Sequence, residues 1–125
     1  RETKRVIHDQ VATAISNLTP EEVELLTIAY DPVLDISTFG GELAKPDDIC
    51  RVLKVMRNQI KDHSGEQIAK EMRLLYGGSV DDQTAGGYLA TDEVDGLLVG
   101  SASLNYHKFS TIAAKAFSLH HKEVD

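Results

Sequence analysis

Two short stretches of this 125-residue chain end an apolar run in small residues: LLYGGSV, from Leu74 to Val80, and DGLLVGSASL, from Asp95 to Leu104. Small residues at such a point leave the main chain open. Glycine lets a ligand approach the backbone closely and tolerates positive φ. A helix that starts just beyond directs unpaired N–H groups at the same spot. The chemistry within reach is anion binding, phosphate above all, by backbone amides. A tight strand-to-helix turn without a ligand would use the same residue types. Two similar loops on neighbouring strands favour the anion site.

The elements that must position these loops follow from periodicity. Val6, Ile7, Val11, Ala14, Ile15 and Leu18 recur at helical spacing and predict a helix over 3–18. Thr19, Pro20 and Glu22 have the pattern of a capping box for a short helical turn. Leu25 to Tyr30 is an apolar run of strand length, and Arg73–Tyr76 and Asp95–Gly100 are a second and a third. Pro46 opens a helix whose apolar stripe is Ile49, Val52, Leu53, Met56 and Ile60, and Gly65 ends it. Residues 81–90 are expected to be helical, although Gly86 and Gly87 each cost about 1 kcal/mol relative to alanine. Tyr106 to His120 is the last predicted helix. Strands that read as apolar runs, each followed by a helix, signal parallel βα units. The expectation is an α/β fold in a single domain over 1–125, with each glycine loop at the C-terminal end of a strand, where parallel folds place ligands.

Bulk composition excludes several functions. Lys and Arg number 13 against 20 Asp and Glu, for a formal net charge of -7, which argues against nucleic-acid binding through a basic surface. Cys50 is the sole cysteine, so no intrachain disulfide or cysteine metal cluster forms, and a reducing, cytoplasmic setting fits. No apolar run reaches the roughly 18–20 residues of a membrane span. His8, His63, His107, His120 and His121 fall on helices or helix ends and read as surface residues, so no metal site is expected. Cys50 reads as a small packing residue on a helix.

IAYDPV, YGGSV and VDGLLVGSASL, in this order and spacing, resemble the last three strand-end motifs of the triosephosphate isomerase family. The resemblance runs from the first helix to near the C-terminus. It implies a partial TIM barrel, the C-terminal part of a (β/α)8 fold, with parallel strands inside and helices outside. It implies interconversion of dihydroxyacetone phosphate and glyceraldehyde 3-phosphate, in glycolysis and gluconeogenesis, with no cofactor. Asp31 stands where the family has its catalytic base. Pro32 to about Lys45 stands where the family has a mobile lid, and Ser37 matches a lid residue whose N–H meets the phosphate. Ser79, Gly100 and Ser101 match the other phosphate-binding positions, and Tyr76 and Ser79 match residues that latch the closed lid.

The departures from the family pattern carry their own expectations. The family's base is glutamate, so Asp31 is one methylene shorter; a retreat of about 1 Å can cost on the order of 100-fold in rate. Leu34-Asp35-Ile36-Ser37 replaces a Trp-Ala-Ile-Gly hinge, and Phe39-Gly40-Gly41 lengthens the lid. Ser101 replaces a glycine, and serine resists positive φ. A whole (β/α)8 barrel takes ~250 residues, and the family's catalytic lysine and histidine match nothing here. The 125 residues alone are therefore expected to be inactive, with the N-terminal barrel half, or self-association, completing them. A catalytically impaired module that binds a triose phosphate or another small phosphate is the alternative, as is a self-associating barrel fragment. In either case Leu74, Leu98 and Val99 are expected to lie exposed on the face that a barrel would bury.

Overall fold

The computed structural model describes residues 2–32 and 45–124. In chain order the elements are α1 (Glu2–Ile15), α2 (Pro20–Val23), β1 (Thr27–Tyr30), α3 (Pro46–Ser64), α4 (Glu66–Glu71), β2 (Arg73–Tyr76), α5 (Ala85–Leu89), β3 (Gly96–Leu97), a 3-10 turn (Ser101–Leu104) and α6 (Tyr106–Val124). The three strands form one parallel sheet in the order β1-β2-β3. Ile28 pairs with Leu74, Tyr30 with Tyr76, and Tyr76 with Leu97. This is the α/β arrangement expected of part of a TIM barrel.

Local chemistry accounts for the helix boundaries. Thr19 Oγ1 accepts from the Glu22 N–H at 3.2 Å, and the Thr19 N–H donates to Glu22 Oε1 at 3.0 Å, completing the capping box that starts α2. Helix α3 begins at Pro46, with Asp47 and Asp48 in its first turn and Lys61 and His63 in its last, the order that the helix dipole favours. It ends at Gly65, whose φ of 95° is a conformation that other residues adopt only under strain. The α3 stripe is buried as its spacing predicts, from Ile49 through Ile60, and α1 packs along α3.

Four elements are shorter than the sequence suggests: β3 spans only Gly96–Leu97 of the expected Asp95–Gly100, and the other three are shortened for identifiable reasons. Leu25 and Leu26 lie outside β1 because their N–H groups donate to Glu22 and Val23 carbonyls in the last turn of α2. That leaves Leu25 exposed. Helix α1 stops at Ile15, and the Leu18 N–H turns back to the Ile15 carbonyl. Residues 81–84 form a turn rather than helix, because Asp81 Oδ1 accepts from the Gln83 N–H, the Thr84 N–H and the Thr84 hydroxyl. Such side-chain bonds compete with the helical ladder.

Strand alternation decides which side chains the helices cover. Leu74 and Tyr76 are fully buried, Tyr30 nearly so, and Ile28 packs against the same core as Val11, Ile15, Leu53, Met56 and Ile60. Thr27, Ala29 and Arg73 are exposed on the opposite face. The expectation that Leu74 and Val99 lie open is therefore corrected: Leu74 shares the helix-covered face with Tyr76, and Val99 packs against the core. Leu98 alone of the three is exposed.

The N-terminal ends of the strands are tied by Arg57, which is 18% exposed. Its Nε donates to Glu93 Oε2 at 2.5 Å, its Nη1 to the Ala69 and Met72 carbonyls, and its Nη2 to Asp95 Oδ2 at 3.1 Å. Asp95 Oδ2 in turn accepts from the Leu74 N–H. One guanidinium thus joins α3, the end of α4, β2 and the approach to β3. Planar multidentate geometry of this kind suits arginine.

Candidate active site

Backbone pairing continues one residue past two of the strands. The Gly77 N–H donates to the Tyr30 carbonyl at 2.8 Å, and the Leu98 N–H to the Tyr76 carbonyl at 2.9 Å. The three strand-end loops are thereby held side by side. Asp31 follows β1 directly and is exposed. A Cβ placed on Gly77 would lie 3.4 Å from the Asp31 Cβ and 3.3 Å from the Leu98 Cβ. Asp31, Gly77 and Leu98 thus form a row on the sheet face away from the core.

Two to three residues further along, Ser79, Gly100 and Ser101 line a single cleft of about 380 Å³, together with Gly78, Asp81 and Lys108. The two glycine loops that the sequence singled out do converge. Their glycines do so without positive φ. Among the described residues only Gly65 and Glu93 have it. Ser101 accordingly sits in ordinary backbone at the start of the 3-10 turn, and its replacement of a glycine imposes no φ penalty. At Gly78 the requirement is space. A Cβ there would fall 1.9 Å from the Tyr76 hydroxyl oxygen.

Tyr76 lies beneath this loop in a row of rings. Its centroid is 4.7 Å from that of Tyr88 and 6.2 Å from that of Tyr30, spacings at which tilted aromatic pairs attract. The Tyr76 hydroxyl is buried and has no partner in hydrogen-bond geometry among the described residues. Burial raises its pKa well above that of an ordinary tyrosine, with Tyr88, Tyr30 and Asp31 adding to the shift. Burial likewise pushes Tyr30 and Tyr88 up. All three phenols are neutral, so the Tyr76 hydroxyl is a donor held ready at the base of the loop. Asp81, on the rim, is held below the usual carboxylate range, first by the Thr84 N–H and then by the Gln83 N–H, the Thr84 hydroxyl and Lys108.

Ser37 and the body of the expected lid, residues 33–44, lie outside the described residues. Cys50 is partly buried on α3, and His8 and His107 are exposed. Among the described residues no group of three or more His, Cys, Asp and Glu could hold a metal ion, and no helix is long and apolar enough to cross a membrane. Sequence reasoning missed Lys108 and Asp81. The signal for Lys108 was a lysine in the first turn of the helix that follows the last glycine loop.

Comparison with known proteins agrees with this geometry. A family model described as triosephosphate isomerase matches residues 1–116. The chain is 42% identical over 100 residues to the triosephosphate isomerase of Streptococcus thermophilus, covering 80% of this chain and 39% of that protein. It is 41% identical over 107 residues to that of Dictyoglomus turgidum, covering 86% and 42%. It is 39% identical over 114 residues to that of Chloroherpeton thalassium, covering 91% and 44%. The chain thus spans about two-fifths of the length of the curated relatives it matches. With parallel βα units, converging strand-end loops and identity at this level over most of its length, the chain belongs to the triosephosphate isomerase family.

Proposed function

We propose that these residues form the phosphate-binding and proton-transferring part of a triosephosphate isomerase site, active when the remaining barrel strands are present. The observation that carries this reading is the convergence of Ser79, Gly100 and Ser101 on one cleft, with Asp31 one strand away beside Gly77. In this reading the triose phosphate sits over the strand ends, with its phosphate among backbone N–H groups. Asp31 removes a proton from one carbon and returns it to the neighbouring one, interconverting dihydroxyacetone phosphate and glyceraldehyde 3-phosphate. Ser37 adds its N–H to the phosphate from the lid, and Tyr76 and Ser79 latch the lid closed. The Tyr76 hydroxyl, buried and without a hydrogen-bond partner among the described residues, supports the latch, since a buried donor without a partner is costly unless one arrives. The reaction belongs to glycolysis and gluconeogenesis, in the cytoplasm, and uses no cofactor.

Three strands do not close a barrel. In this reading β1 and β3 keep open edges until an N-terminal barrel half, or another copy, pairs with them. Leu98 and the exposed face of Thr27, Ala29 and Arg73 then become interior. The test follows isomerisation by the 125 residues with and without an added N-terminal barrel segment. Turnover is expected only in the reconstituted mixture and is lost with Asp31→Asn. Full activity of the 125 residues alone, or undiminished activity of the Asn variant, would overturn the reading.

One observation favours a second reading, a module that binds small phosphates without turnover. The cleft is assembled by these residues themselves, whereas Asp31 is exposed and shorter than the family's base. Phosphate binding with no turnover in the reconstituted barrel would select it.

A further inference from the structure

A cleft built from backbone amides holds an anion through partial charges alone, yet this cleft is also bordered by an exposed lysine. Lys108 lines it alongside Ser79, Gly100 and Ser101. Its position is set by α6. The Lys108 N–H donates to Asn105 Oδ1 at 3.0 Å and the Phe109 N–H to the Asn105 carbonyl at 2.9 Å, so Asn105 caps the helix and places Lys108 in its first turn.

We propose that Lys108 is a specificity-determining residue of this site, selecting phosphorylated over unphosphorylated small molecules by direct attraction to the phosphate dianion. The proposal rests on the phosphate reading of the same cleft. Among the described residues Lys108 makes no salt bridge. The carboxylate nearest in effect is Asp81, and its Oδ1 is already taken by three donors of its own turn. Asp81 Oδ1 is thus committed to residues 83 and 84, and Asp81, which lines the same cleft, feels the Lys108 charge through space without an ion pair among the described residues. Lys115, the next lysine on α6, is committed elsewhere, its ammonium donating to the Asp82 carbonyl. A lysine acts on phosphate as a mobile point charge and needs no fixed fork geometry. Its contribution adds to the directional amide bonds and falls with added salt.

The test titrates inorganic phosphate into the 125-residue protein and its Lys108→Gln and Lys108→Arg variants. Amide shifts of Ser79, Gly100 and Ser101 are followed at low salt and at roughly 0.3 M NaCl. Lys108→Gln is expected to weaken phosphate binding about fivefold to tenfold and to flatten its salt dependence, while Lys108→Arg stays within about twofold. Equal affinity of the parent and Lys108→Gln, with Gly100→Val abolishing binding, would overturn the role of Lys108 and leave the cradle standing. A loss in Lys108→Gln that Lys108→Arg does not restore, with a lowered melting temperature, would also overturn it. No shift in the parent at millimolar phosphate would overturn both the cradle and the lysine.

Discussion

Gly78 roofs the Tyr76 hydroxyl so closely that a Cβ on the glycine would stand 1.9 Å from the phenolic oxygen. The ring is fully buried and flanked by Tyr30 and Tyr88, so it has little room to withdraw. The loop that lines the cleft and the tyrosine beneath it are therefore one mechanical unit.

Gly78→Ala must push either the ring or the loop aside. Overpacking of this kind typically costs about 1–3 kcal/mol, to be read from urea denaturation, and phosphate affinity is expected to fall with it. Tyr76→Phe removes the unbonded hydroxyl and is expected to leave stability unchanged or raise it by up to about 1 kcal/mol. The double variant should recover only part of the Gly78→Ala loss, because the new Cβ would still press on the ring carbon that bore the hydroxyl. If the two substitutions are simply additive, the glycine is not there to clear the hydroxyl.

Arg57→Met keeps the length of the side chain and removes every bond that it makes. Glu93, Asp95 and the Ala69 and Met72 carbonyls lose their partner together. Breaking a largely buried ion pair from one side costs about 3–5 kcal/mol. Asp95 is 42% exposed and recovers some solvation, which places the expected loss nearer about 2–3 kcal/mol. Denaturation midpoints check this. A loss under about 0.5 kcal/mol, the level of an ordinary surface substitution, would show that the network does not hold the strand ends together.

Asp31→Glu restores the methylene that separates this chain from the family's base. In the completed barrel it is expected to raise turnover by about 10- to 100-fold, because proton abstraction is steep in the distance between base and carbon. Steady-state kinetics of the two reconstituted proteins decide it. An unchanged rate would count against Asp31 as the proton-transferring group.

Asp81 predicts a pH dependence. Its folded-state pKa lies below the ordinary 3.8 because the Thr84 and Gln83 amides favour the charged form. The stability it contributes is therefore fully present above that unfolded value and is lost as pH falls through the lower, folded one. Asp81→Asn should be less stable than the parent at neutral pH, with the gap closing below about pH 4. Urea melts of both proteins across that range test the sign. A gap that widens on acidification would contradict it.

The helices were legible in the sequence because each carries its own instructions. The α3 stripe at 49, 52, 53, 56 and 60 and the Thr19 capping box are local patterns, and both appear as read. β2 was read to the residue, because Arg73–Tyr76 lies between a helix end and two glycines. β1 was read two residues too long, since an apolar run does not reveal that the N–H groups of Leu25 and Leu26 are spent in a helical turn. Residues 81–90 looked helical until the Asp81 side chain took the amides of the first turn.

The site divides in the same way. Sequence by itself determined the family, the glycine loops and the position of Asp31 just after β1, since these lie in contiguous motifs whose spacing is readable in one dimension. Tertiary structure alone decided that Leu74 and Val99 turn to the helices while Leu98 does not, because a face is defined only once strand register is set. It also decided that Gly78 serves the Tyr76 hydroxyl rather than a positive φ. Arg57 and Asp95, and Lys108 and Ser79, are far apart along the chain, and their juxtaposition follows from parallel strands that bring every C-terminal end to one side of the sheet and every N-terminal end to the other.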